Sequence, residues 1–133
     1  MLLETYSKTI RIEAKTMIEM ASRKLLPATL SYVHNVCDSI AVKKQIGMTS
    51  KSEEKIAAKL NELADKFYDS IERLKSQLKN ACDITVIKDQ AVYFHDCVLA
   101  EMDIMREIAD EIEIEMPCEM WPIPNYTAMI YNV

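Results

Sequence analysis

Apolar residues recur at Leu3, Tyr6, Ile10, Ala14, Met17, Ala21 and Leu25, in steps of three and four that trace one face of a helix. The stripe continues through Leu26, Leu30, Val33, Cys37 and Ile40. Pro27 lies between the two halves. Its ring removes a backbone donor and crowds the carbonyl of Arg23, so a kink or a restart is expected, and the unbroken periodicity favours a kink over a loop. Gly47 suits the left-handed position just past a helix end. Ser50 with Glu53 forms a capping-box pattern that opens a second helix, whose stripe is Ile56, Leu60, Leu63, Phe67, Ile71, Leu74 and Leu78. Residues 80–83 read as a short connection with Asp83 as the next N-cap. A third stripe follows at Ile87, Ala91, Phe94, Val98, Met102, Met105, Ile108 and Ile112, and Pro117 ends it.

These patterns predict an all-α fold. It is an antiparallel up-down bundle of three long helices over 2–45, 51–80 and 84–115, the first kinked near Pro27 so that it could count as four. The bundle is expected over 1–116, with an irregular aromatic and proline-rich tail over 117–133. The second and third helices would be ~45 Å long. The first is longer and would overhang them, leaving apolar surface near its start to pack on something else.

The tail, MWPIPNYTAMIYNV, is not the polar, aromatic-poor sequence of a disordered end. Prolines hold a chain extended at low entropic cost, and aromatics supply contact area. Trp121, Pro122, Pro124, Tyr126, Met129 and Tyr131 are therefore the candidate interface, docking on the bundle or on a neighbour.

Composition narrows the chemistry. The 133-residue chain contains one glycine, Gly47, which leaves no residue set for a P-loop or a dinucleotide fingerprint. Net charge is −5, which argues against a nucleic-acid partner. Residues 1–60 hold ten Lys/Arg against six Asp/Glu, and residues 61–133 hold six against fifteen. A basic first helix packed beside an acidic last one is the expected consequence. Charges interrupt every apolar run, so no membrane span is expected. Cys37, Cys82, Cys97 and Cys118 form no C-x-x-C pair and read as free thiols of a cytoplasmic protein.

The two histidines, His34 and His95, follow Ser31 and Val92 at a distance of three, so the Glu-x-x-His of a di-iron bundle is absent. His34 with Cys37 or Asp38 supplies too few ligands for zinc. Cys97 and His95 fall on different faces of a helix, and no oxyanion-hole loop accompanies either thiol. The acidic run Glu101, Asp103, Glu107, Asp110, Glu111, Glu113, Glu115 and Glu119 reads as a solvated or salt-bridged face rather than a catalytic carboxylate pair. No catalytic, cofactor or metal residue is therefore assigned.

Three separated motifs carry a family resemblance. The opening has Tyr6-Ser7-Lys8-Thr9-Ile10, Ile12-Glu13-Ala14 and Leu25-Leu26-Pro27-Ala28. The last long helix has Gln90-Ala91, Asp96-Cys97-Val98-Leu99-Ala100-Glu101-Met102 and Met105-Arg106. The end has Trp121-Pro122-Ile123-Pro124-Asn125-Tyr126. Together they resemble, in order, the C-terminal helical region of type III glutamine synthetases, the large bacterial form. Thr127-Ala128 stand where that family continues Gly-Asp, so the turn of the tail is expected to differ.

The resemblance implies a structural and assembly domain of a glutamate–ammonia ligase serving nitrogen assimilation. It also implies that ATP and Mg²⁺ or Mn²⁺ bind upstream, and that the partners are the catalytic domain and neighbouring subunits of an oligomer. Met1 then reads as a start engineered into, or misassigned within, a longer gene. A free-standing helical adaptor that grips a protein partner is the alternative, and a small metalloenzyme is the third reading.

Overall fold

The computed structural model describes residues 2–122. The tail positions Pro124, Tyr126, Met129 and Tyr131 lie outside the described residues. The chain forms α1 (Leu2–Met20), α2 (Leu26–Gln45), α3 (Lys51–Cys82), α4 (Ile87–Tyr93) and α5 (Leu99–Glu115). A π turn, Ala21–Leu25, joins α1 to α2, and another, Phe94–Val98, joins α4 to α5. Backbone angles stay helical through both turns (Met20 −61°/−47°, Leu26 −64°/−47°, Leu99 −62°/−39°). The result is three continuous rods and an all-α bundle.

The first rod does not break at Pro27. The amide of Leu26 donates to the carbonyl of Ala21, a five-residue step that widens the turn just ahead of the proline ring. This changes which residues face inward. A restart at Leu26 would bury Leu30 and Cys37, yet both are exposed. The core face instead runs Ala21, Leu25, Thr29, Val33 and Val36. Three successive four-residue steps exceed the 3.6-residue α period, and the π turn takes up the excess so that these positions stay on one face. Thr29 occupies a core position because its hydroxyl donates to the Leu25 carbonyl at 2.8 Å. The third rod makes the same adjustment, burying Phe94, Val98, Met102, Met105, Ala109 and Ile112, with Ile108 partly buried beside them.

The helix ends follow local chemistry. Gly47 takes φ +81°, its amide bonds the Lys44 carbonyl at 3.1 Å, and the Met48 amide bonds the Lys43 carbonyl at 2.8 Å. These two bonds make a Schellman ending. Ser50 is the N-cap of α3, but the capping box does not close. The carboxylate of Glu53 turns across the loop to Lys43 instead. Asp83 does not open the third rod either. It closes α3, its amide bonding the Lys79 carbonyl at 3.1 Å, and Val86 is the residue that precedes α4.

The central rod is α3. It lies against α2 and α5 along one part of its length, and against α1 and α4 along the other. Phe67, Phe94, Leu25, Leu60, Ile71, Leu74, Met102, Met105 and Ile112 are fully buried. Ala14, Ala21, Ala81 and Ala109 have no exposed surface, and such small side chains let the rods approach closely. After α5, Met116 and Pro117 are extended and a 3₁₀ turn, Cys118–Met120, folds the chain back. That return carries Trp121 into the core, leaving it 5% exposed, with its indole Nε1–H donating to Glu113 Oε1 at 2.9 Å.

Candidate docking site

The acidic run is held by cations of the neighbouring rod. Lys59 Nζ meets Glu115 Oε1 at 2.8 Å, and Arg73 Nε meets Glu101 Oε2 at 3.3 Å. Arg106 pairs with Asp103 at 2.9 Å within α5. Part of the charge contrast along the chain is thus answered between α3 and α5. The carboxylate of Glu115, and with it the charge of Glu111, pushes the Lys59 ammonium up from its ordinary value.

The histidines sit apart, each beside a local carboxylate. His34 Nε2 lies 3.3 Å from Asp38 Oδ2, and His95 Nδ1 lies 3.0 Å from Asp96 Oδ1. Among the described residues no three His, Cys, Asp or Glu side chains converge as metal ligands, and all four cysteines are free. Gly47, the one glycine, is used to end a helix, so the described residues offer neither a phosphate cradle nor a carboxylate cage for ATP and a divalent metal.

Of the candidate interface residues, Trp121 is inside the bundle core and Pro122 is exposed. Met116 and Met120, which flank the indole in sequence, also turn inward.

The concave surface lies at the other end of the third rod. There α1 and α4 run side by side, and Leu2, Leu3 and Tyr6 face Lys88, Ala91, Val92, His95 and Asp96 across a groove of about 540 Å³. Its walls are mostly apolar and open to solvent: Leu2 is 87% exposed, Leu3 44% and Val92 50%. Val86 and Ile87, at the start of α4, are exposed as well. The rings of Tyr6 and His95 lie 6.5 Å apart, tilted by 31°. The second π turn begins at Phe94 and so carries His95 and Asp96.

A smaller polar pocket of about 240 Å³ adjoins it, lined by Glu4, Ser7, Lys8, Arg11, Cys82, Ile87, Gln90 and Phe94. The Gln90 amide closes the end of α3 there, donating to the carbonyls of Ala81 at 3.1 Å and Ile84 at 3.2 Å.

Sequence patterning indicated an exposed apolar start to the first rod. It did not indicate the α4 side of the groove, because Val92 and His95 fall off the third stripe. The available signal was the apolar surplus in Val86 and Val92, which the stripe starting at Ile87 cannot absorb.

The fold is an all-α bundle with an open apolar groove between α1 and α4. Comparison with known proteins gives its kinship. Residues 1–44 match the family described as the glutamine synthetase C-terminal domain. A glutamine synthetase of Butyrivibrio fibrisolvens is 31% identical over 134 residues, covering 99% of this chain and 19% of that protein. A glutamine synthetase of Bacteroides fragilis (strain YCH46) is 21% identical over 98% of the chain and 19% of the relative. A type-3 glutamine synthetase of Dictyostelium discoideum is 22% identical, covering 98% and 18%. The chain belongs to the glutamine synthetase C-terminal domain family, and it spans about a fifth of the length of these relatives. No described helix is long and apolar enough to cross a membrane.

Proposed function

We propose that this chain is the non-catalytic C-terminal helical domain of a type III glutamine synthetase, a cytoplasmic ATP-dependent glutamate–ammonia ligase, and that it serves structure and assembly. The observation that carries the reading is the coverage. Relatives match this chain over 98–99% of its length but extend far beyond it, and one of them is named as the type-3 enzyme. The physical features are consistent with a supporting role. The bundle has a continuous core, the described residues do not fit an ATP or metal site, and an apolar groove stands open. ATP and Mg²⁺ or Mn²⁺ would bind in the remaining four-fifths of the parent. The partners would be its catalytic domain and neighbouring subunits.

The test is the size and activity of the native polypeptide. An antibody against this domain should detect, in extract of the source cells, a band several times larger than 15.3 kDa. Material captured with it should form glutamine from glutamate, ammonia and ATP. A band near 15 kDa would refute the reading in favour of a free-standing adaptor.

A further inference from the structure

The third rod has two flanks beside its core face. Glu101 and Glu115 precede the core residues Met102 and Met116 by one position, and they meet Arg73 and Lys59 of α3. Glu113, Arg106, Asp103, Leu99, His95 and Val92 each follow a core residue by one position, so they line the other flank, turned away from α3. At one end of that flank Trp121 is anchored on Glu113, after the 3₁₀ turn has folded the chain back. At the other end His95 and Val92 form the α4 wall of the apolar groove, whose margin carries Lys88 and Asp96.

We infer that the chain's own tail runs along this flank and fills the groove, with Met129, Ile130 and Tyr131 laid against Leu3 and Val92. Length supports the path. Glu113 and His95 are eighteen residues apart, or ~27 Å along the rod. Extended chain rises ~3.1–3.3 Å per residue, so a tail leaving Pro122 reaches the groove at about Ile130 or Tyr131. Charge supports it too. Residues 122–133 contain no Asp, Glu, Lys, Arg or His, and an apolar groove suits an uncharged occupant. The order of side chains also matches. On this path Asn125, Tyr126 and Thr127 pass the polar stretch at Arg106 and Asp103, and the apolar run 128–131 arrives at Leu99 and the groove. A segment tethered this closely has an effective concentration in the millimolar range, so a modest apolar contact suffices to hold it. The inference concerns this chain alone and stands apart from the activity of any parent enzyme.

The test places a reporter in the groove. Val92→Cys, at a half-exposed position, would be introduced into the 133-residue chain, into a chain ending at Pro122 that keeps Trp121, and into the whole chain carrying Ile130→Asp and Tyr131→Asp. Maleimide labelling would be followed peptide by peptide by mass spectrometry, with the exposed Cys37 of α2 as the internal reference. The ratio of the rates at positions 92 and 37 should be about fivefold or more lower in the whole chain than in either variant, at every protein concentration. Taking the ratio to Cys37 cancels a general loosening of the bundle. An unchanged ratio in either variant overturns the inference. Protection of position 92 that disappears on dilution overturns it in favour of the tail of a second copy.

Discussion

Replacing Trp121 by alanine should remove a structural part of the bundle, although the residue lies beyond the last long helix. A tryptophan buries roughly 150–250 Å². At about 25 cal/mol per Å², that corresponds to about 4–6 kcal/mol of transfer free energy. The figure is an upper bound, because the unfolded chain already hides part of this area. The indole also donates a hydrogen bond to the Glu113 carboxylate at 2.9 Å. Large-to-small substitutions of buried aromatics cost about 3–5 kcal/mol, and a site on a returning turn can collapse more easily than one inside a rod. Trp121→Ala should therefore cost about 3 kcal/mol. Urea unfolding followed by circular dichroism is the assay. With a slope of about 1.5 kcal/mol/M, the midpoint should fall by about 2 M with the slope unchanged. Trp121→Phe keeps most of the area and loses the donor, so it should cost about 1–2 kcal/mol. Because Trp121 is the only tryptophan, wild-type emission should be that of a buried indole and should shift on unfolding in step with the helical signal. A Trp121→Ala midpoint within about 0.3 M of wild type, or an indole quenched by acrylamide as readily in the folded protein as in the unfolded one, would refute the docking.

Three further outcomes follow from named residues. Phe67→Ala empties a fully buried position in the central rod and should cost about 3–5 kcal/mol in the same unfolding assay. Gly47→Ala meets open space but must hold φ +81°, so it should cost about 1–2 kcal/mol through the backbone alone. The Lys43 ammonium, with help from the Ser39 and Ser50 hydroxyls, holds the Glu53 carboxyl down from 4.5 to about 2. A depressed carboxylate stabilises the fold above its unfolded value and loses that contribution as pH falls toward its folded value. Glu53→Gln should therefore lower stability above about pH 4.5 and flatten the profile between about pH 4.5 and 2, and a profile as steep as wild type would count against the pairing.

Much of the fold was legible in the chain. The second stripe, Leu60 to Leu78, is buried almost position for position, because an uninterrupted helix repeats every 3.6 residues and nothing in α3 disturbs that period. Gly47 was legible for a local reason: a left-handed helix ending disfavours a side chain.

Other features needed the folded molecule. The sequence showed that Pro27 had to be accommodated, but a π turn rather than a break was chosen by packing against α3, which rewards Thr29 and Val36 over Leu30 and Cys37. Phe94–Val98 makes the same turn without any proline, so no local signal could have announced it. The Glu53 pairing with Lys43 replaced a capping box because loop closure brought an ammonium within reach, which spacing along one helix cannot reveal. The groove is a property of two rods that are distant in sequence and adjacent in space, so its α4 wall was invisible in the periodicity. The sequence determined which residues are apolar, how many rods form, and that the tail carries surface to bury. Tertiary structure decided which of two adjacent apolar positions goes inside, where Trp121 docks and which apolar surface is left open. Those choices depend on how neighbouring rods meet, and on side-chain volumes that no single helix contains.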